Sequence, residues 1–192
     1  MLLAGAPEAR ADWVVSPFLG ISFDGTTNFL DLENGVGEVK ITFGGSGGWL
    51  SDGLIGLEAN IGHTYGFFQS GDESGEGGLV LSSSVTAITG DALVLVPRAI
   101  LRDSLRPYVL GGLGLLRVRS EYVADTFRID GSYLGLALGG GAIGRLTERS
   151  SLRFELRRLS NLTRTKGHDL LLPGDPPALS FWRVTVGVQI SY

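Results

Sequence analysis

Residues 182–192 read Trp182-Arg183-Val184-Thr185-Val186-Gly187-Val188-Gln189-Ile190-Ser191-Tyr192, apolar at every even position and polar or small at every odd one. A period of two sends the two sets to opposite faces of an extended strand. The run is about twice as long as the usual strand of a soluble sheet, about five or six residues.

The same alternation recurs upstream. Leu152, Phe154 and Leu156 alternate with Arg153, Glu155 and Arg157, and Leu134, Leu136 and Leu138 with Gly135, Ala137 and Gly139 in a strand from Ser132 to Leu146. In residues 106–120, Tyr108, Leu110, Leu116 and Val118 form one face and Gly111, Arg117 and Arg119 the other. The strand from Leu79 to Val96 loses its parity at Gly90-Asp91, where a bulge is expected to shift the facing by one residue. Ile55, Leu57, Ala59, Ile61, Tyr65 and Phe67, with His63 among them, oppose Gly56, Glu58, Asn60, Gly62, Thr64 and Gly66. Val39, Ile41, Phe43 and Trp49 oppose Lys40, Thr42, Gly44, Ser46 and Gly48. Trp13, Val15, Pro17, Leu19, Ile21 and Phe23 oppose Ser16, Gly20, Ser22 and Asp24.

Eight strands result. Polar loops over 25–38, 69–78, 122–131 and 160–179 alternate with shorter connections near 51–53, 98–106 and 147–151. That order predicts an all-β fold, an eight-stranded antiparallel up-and-down transmembrane β-barrel, with long loops at one end and short turns at the other. Two closed solutions compete, a soluble calycin-type barrel holding a ligand and a membrane barrel surrounded by lipid. A soluble barrel turns a charged face to water, whereas here the non-apolar face is mostly glycine, serine and threonine. Trp13, Trp49, Tyr108, Trp182 and Tyr192 fall near strand ends, as interface aromatics of a membrane girdle do. Strands of about 10 to 14 residues also suit a tilted span. The membrane solution is favoured.

Composition agrees. Among 192 residues 30 are glycine, and 19% are charged against about 25% in ordinary domains, as a chain with half of each strand in lipid requires. A net charge of −4 argues against a nucleic-acid partner. The absence of cysteine excludes thiolate metal sites and thiol catalysis, and His63 and His168 are too far apart in sequence to suggest an imidazole site. No metal or cofactor is expected. Residues 1–11 end in Ala9-Arg10-Ala11, a small-x-small pattern read as a signal-peptide remnant, which leaves 12–192 as the barrel domain.

The end of the chain resembles the C-terminal insertion signal of bacterial outer-membrane barrels, with Thr185, Gly187, Ile190 and Tyr192 at its defined positions. Residues 106–116 and 146–161 resemble the fifth-strand and seventh-strand segments of the OmpA-like, opacity-type porin family. The resemblance implies the bacterial outer membrane, insertion from the periplasm by chaperones and the barrel-assembly machinery, contact with outer-membrane lipid and lipopolysaccharide, and no cofactor. The role it suggests is structural or surface-interacting, with a narrow pore as a variant.

Parity predicts a lumen charge set of Lys40, Glu58, Arg117, Arg119, Arg153, Glu155, Arg157 and Arg183. Isolated charges in a narrow lumen are costly and should pair, which favours a plug. The excess of arginine supports a second reading, a mildly anion-selective path. Arg158-Leu159-Ser160-Asn161 resembles the His-x-Ser-Asn motif of outer-membrane lipid A deacylases, which makes Ser160 the nucleophile of an alternative, hydrolytic function. An arginine stands where that motif has histidine, and it stays protonated and cannot act as a base. His168 lies eight residues beyond Ser160, in a loop. The long loops are the natural place for an extracellular ligand. Residues 69–78 carry several carboxylates without the spacing of a calcium loop, and 167–179 carry three consecutive leucines followed by prolines.

Overall fold

The computed structural model describes residues 11–27, 39–67, 80–98, 105–122, 128–162 and 179–192. These form eight strands: β1 (Ala11–Thr27), β2 (Lys40–Ser51), β3 (Ile55–Tyr65), β4 (Val80–Leu95), β5 (Leu105–Tyr122), β6 (Arg128–Arg145), β7 (Ser150–Asn161) and β8 (Leu179–Ser191). Each pairs antiparallel with its sequence neighbours, and β8 returns to β1 to close the barrel. Closure removes every sheet edge, so the backbone groups of the wall are satisfied within it.

The register fixes the shape. Stepping across paired residues from Trp13 leads through Trp49, Leu57, Ala92, Gly111, Leu138, Arg158 and Trp182 to Phe23, ten residues further along β1. A shear of ten on eight strands gives a strongly tilted wall and an interior just wide enough for side chains to fill it. Both described chain ends, the β2–β3 turn and the β6–β7 turn lie at one end, called here the terminal end. The other is the loop end.

The wall is apolar outside. Val15, Leu19, Ile61, Leu113, Leu138 and Val186 are each 43–57% exposed, and the residues alternating with them are buried or half-buried. This inverts the soluble pattern and gives a surface suited to hydrocarbon.

The strands differ from the periodicity reading at definite points. Ala11 already pairs with Ser51 in β1, inside the segment read as a leader; residues 1–10 lie outside the described residues. β1 runs past Asp24, which takes a φ of 50° where the pairing with β8 shifts between Phe23 and Thr26. In β4 the alternation passes unbroken through Gly90-Asp91, and the irregularity sits instead between Val80 and Ser82. β5 and β6 extend to Tyr122 and from Arg128, so the 122–131 loop shrinks to 123–127. Phe67, read as outward, is buried, because Gly66 with a φ of 63° turns the chain over the barrel mouth. The loop charges at 69–78, the leucines at 170–172 and His168 fall outside the described residues.

Candidate functional site: the filled lumen

Three layers fill the interior. At the terminal end, Val14, Leu50, Leu93, Leu95, Tyr108, Leu110 and Ile143 form an apolar cluster. Buried Arg106 finishes this end by donating to the carbonyls of Val96, Ser51 and Gly53 at 2.9, 2.8 and 2.6 Å. At the loop end a second cluster gathers Phe67, Val85, Ala87, Leu116, Val118, Ala137, Leu159, Leu179 and Phe181. Phe67 and Phe181 meet edge to face there at 4.9 Å. Beside this cluster the β1–β3 wall is polar: the Ser22, Thr42 and Thr64 hydroxyls lie within hydrogen-bond distance of one another.

The charges lie between the clusters. Alternation along β7 sends Arg153, Glu155 and Arg157 inward in a row. Arg153 grips both oxygens of Glu58 on β3 and donates to Glu155 at 2.6 Å. Arg157 donates to the other Glu155 oxygen at 2.9 Å, and across the lumen to Asp91 at 2.7 Å and to the Thr89 hydroxyl at 2.9 Å. The Tyr108 hydroxyl accepts from Arg153 at 2.7 Å and donates to Glu155 at 2.9 Å. Arg183 stands nearer the loop end, donating to Asn60 at 2.8 Å with its guanidinium over Phe18. Gly62 leaves the space that this guanidinium occupies, since a Cβ there would collide with its Nη1.

Of the charges assigned to the lumen, the structure brings together Glu58, Arg153, Glu155 and Arg157, with Arg183 adjacent. Lys40 is half-buried, two residues beyond Thr42 toward the loops. Arg117 and Arg119 are on the outside of the wall and exposed. They share the odd-numbered face of β5 with Val109, Leu113 and Leu115, while Tyr108, Leu110, Leu116 and Val118 point inward. For the same reason Tyr108 is not an interface aromatic but, at 4% exposure, a lumen residue.

Trp13 and Tyr192 are exposed at the terminal end, where the Tyr192 amide donates to the Trp13 carbonyl at 2.9 Å and Trp13 pairs with Trp49. Trp182 lies in the loop half of the wall. A separate aromatic group outside the set expected from the sequence is formed by Phe43, His63 and Tyr65, whose rings are 4.6–5.7 Å apart. His63 hydrogen-bonds Thr86 at 2.8 Å within that group.

Asp91 was missed because its strand has apolar residues on both faces. Including it and removing Arg117 and Arg119 leaves Arg153, Arg157 and Arg183 against Glu58, Asp91 and Glu155 in the middle layer. The arginine excess behind the anion-selective reading is therefore gone there. Arg157 is 0% and Arg183 2% exposed. An interior cavity beside Arg153 and Glu155, also lined by Ser16, Ser46, Asn60 and Thr185, measures about 10 Å³, the space of one water.

Ser160 and Arg158 face outward, Arg158 exposed with its guanidinium 5.6 Å from the Trp182 ring. Asn161 accepts a hydrogen bond from the Leu179 amide at 3.0 Å, closing the mouth of the last hairpin. No cluster of three metal-ligating side chains occurs among the described residues.

No protein-family model matches the chain, and no curated protein is significantly similar to it in sequence. Its fold, however, is shared with solved structures. Neisserial surface protein A superposes with a TM-score of 0.65 at 11% identity, over 95% of this chain and 99% of that one. The N-terminal β-barrel domain of Pseudomonas aeruginosa OprF gives 0.59 at 17% identity, over 96% and 100%. Ail, the attachment invasion locus protein of Yersinia pestis, in complex with the heparin analogue sucrose octasulfate, gives 0.50 at 11% identity, over 94% and 98%. The chain thus has the fold of the small eight-stranded outer-membrane barrels.

Proposed function

We propose that this chain is an integral protein of the bacterial outer membrane whose barrel is a closed anchor, and that its role is exercised at its surfaces. One observation carries the reading: a neutral ion-pair layer held between two apolar clusters, with its central arginines withdrawn from water. A conducting lumen keeps its charged walls wet, whereas this one has converted them into packing.

In this reading the loop end of the barrel is the extracellular one, and any extracellular ligand is met there. The apolar wall contacts outer-membrane lipid and, in the outer leaflet, lipopolysaccharide. The segment ahead of β1, residues 1–10, is a signal remnant, one residue shorter than the small-x-small pattern suggests because Ala11 belongs to β1. Thr185, Gly187, Ile190 and Tyr192 form the signal by which periplasmic chaperones and the assembly machinery deliver the barrel. The fold shared with Ail, whose structure holds a heparin analogue, supports a surface-interaction role for a barrel of this size. Catalysis has no place in the proposal, because Arg158 occupies the base position of the deacylase motif. A lipid A deacylation assay with a Ser160→Ala control checks this, and release of acyl chains by the wild type alone would reverse it.

The main test combines two measurements on detergent-purified protein. A heat-dependent mobility shift on a gel is expected for a closed membrane barrel. Planar-bilayer recordings should show no steady conductance. A soluble protein without the shift would overturn the membrane reading.

A further inference from the structure

Arg158, like Arg117 and Arg119 on β5, departs from the apolar rule of the outer wall. It lies on the lipid-facing side of β7, between outward-facing Leu156 and Ser160 and three residues short of the strand's loop end. No carboxylate among the described residues pairs with it. Its guanidinium lies over Trp182, its register partner on β8. Beside it lies a shallow, open apolar groove lined by Leu138, Gly140, Leu156 and Trp182, where Gly140 contributes no side chain. Toward the loops, Ser160 and Ser180 pair on the same outward face.

A guanidinium facing lipid is costly unless an anion or water meets it. The stacked indole occupies its face and leaves its edge donors, a fork that matches a phosphate oxyanion. From this depth the side chain can snorkel to the headgroup level. An anion above, an acyl chain in the groove and hydroxyls alongside describe a single amphiphile. We infer that Arg158, Trp182 and the Gly140 groove form a binding site for a phosphorylated glycolipid of the outer leaflet, of the lipid A class. The site rests on the outer-membrane reading above and names a partner for its wall. The serine pair favours a saccharide headgroup over that of a plain phospholipid.

The test is native mass spectrometry of detergent-solubilised full-length protein titrated with bisphosphorylated lipid A, dephosphorylated lipid A or phosphatidylglycerol. Wild type should retain one bisphosphorylated lipid A, and the other two lipids should bind at least tenfold more weakly. Arg158→Ala should lose at least tenfold in affinity for bisphosphorylated lipid A, Arg158→Lys should fall between, and Arg117→Ala should match wild type. All variants should keep the heat-dependent gel shift, which separates lost binding from lost folding. Equal binding by Arg158→Ala and wild type overturns the site, as does equal binding of dephosphorylated lipid A. Tighter or equal binding of phosphatidylglycerol overturns the glycolipid assignment. Conductance of the wild type would sink the closed-anchor reading and leave this site untouched, so the two can fail separately.

Discussion

Asp91 on β4 reaches Arg157 on β7 across the lumen, 2.7 Å from oxygen to nitrogen, and both side chains are withdrawn from water. This contact completes the charge balance of the middle layer, because without Asp91 three arginines face two carboxylates. Asp91→Asn preserves shape and removes only the charge. Breaking one partner of a buried pair costs about 3–5 kcal/mol, and a hydrogen bond retained from Arg157 to the new amide places Asn at or below the lower end. Thermal unfolding in detergent should therefore fall clearly for Asp91→Asn and stay unchanged for Arg117→Ala, whose charge is outside the wall. A shift of similar size for Arg117 would contradict the inward and outward assignment.

Glu155 is the hub of the same layer, accepting from Arg153, Arg157 and the Tyr108 hydroxyl. Glu155→Ala leaves all three without that acceptor and should be among the most damaging lumen substitutions, about 3–5 kcal/mol. Arg153→Met alone leaves Glu58 with only its longer ion pair to Arg157 at 3.7 Å, yet combined with Glu58→Gln it removes both charges. The pair should therefore cost less than the sum of its parts, with a coupling of about 0.5–3 kcal/mol in a double-mutant cycle. Additive effects would mean that the two side chains do not act as a unit.

How much of this was legible in the sequence depended on the contrast between strand faces. β3 and the stretch of β8 from Trp182 onward were readable because one face is wholly small or polar there, so alternation gave strand, orientation and the inward position of Glu58 and Arg183 together. β5 carries Val109, Leu113 and Leu115 on one face and Tyr108, Leu110, Leu116 and Val118 on the other, and hydropathy alone cannot rank them. The inward set is apolar because it fills both plugging clusters. Those clusters are tertiary facts that no single strand reveals. β4 was ambiguous for the same reason, which hid Asp91. Phe67 depended on one glycine torsion, which an alternation pattern does not contain.

Glycine content is high partly because large lumen side chains need bare backbone opposite them. Gly62 on β3 makes that space for Arg183, and a methyl group there would strike the buried guanidinium. Gly62→Ala should lower stability by about 1–3 kcal/mol, as overpacking does. Gly45, on the outer side of β2, would meet only ordinary contacts at 3.7 Å or more. Gly45→Ala should be neutral or slightly stabilising in the same unfolding assay. A reversed order would mean that Arg183 does not occupy the position described.

The layered filling also predicts how hard the barrel is to open. Phe181→Ala thins the loop-end cluster but leaves the ion pairs and the terminal-end cluster in place, so planar-bilayer recordings should show no current. Adding Asp91→Ser with Arg157→Ser removes a matched pair without leaving a lone charge and widens the middle, and the terminal-end cluster still blocks ions. Steady conductance should emerge only when Leu93→Ser and Leu110→Ser are added, because an ion must shed its hydration to cross an apolar constriction. Each variant must retain the heat-dependent gel shift for its trace to count. Current through the Phe181→Ala protein would show that the loop-end cluster alone closes the lumen and that the layers beneath it are wet.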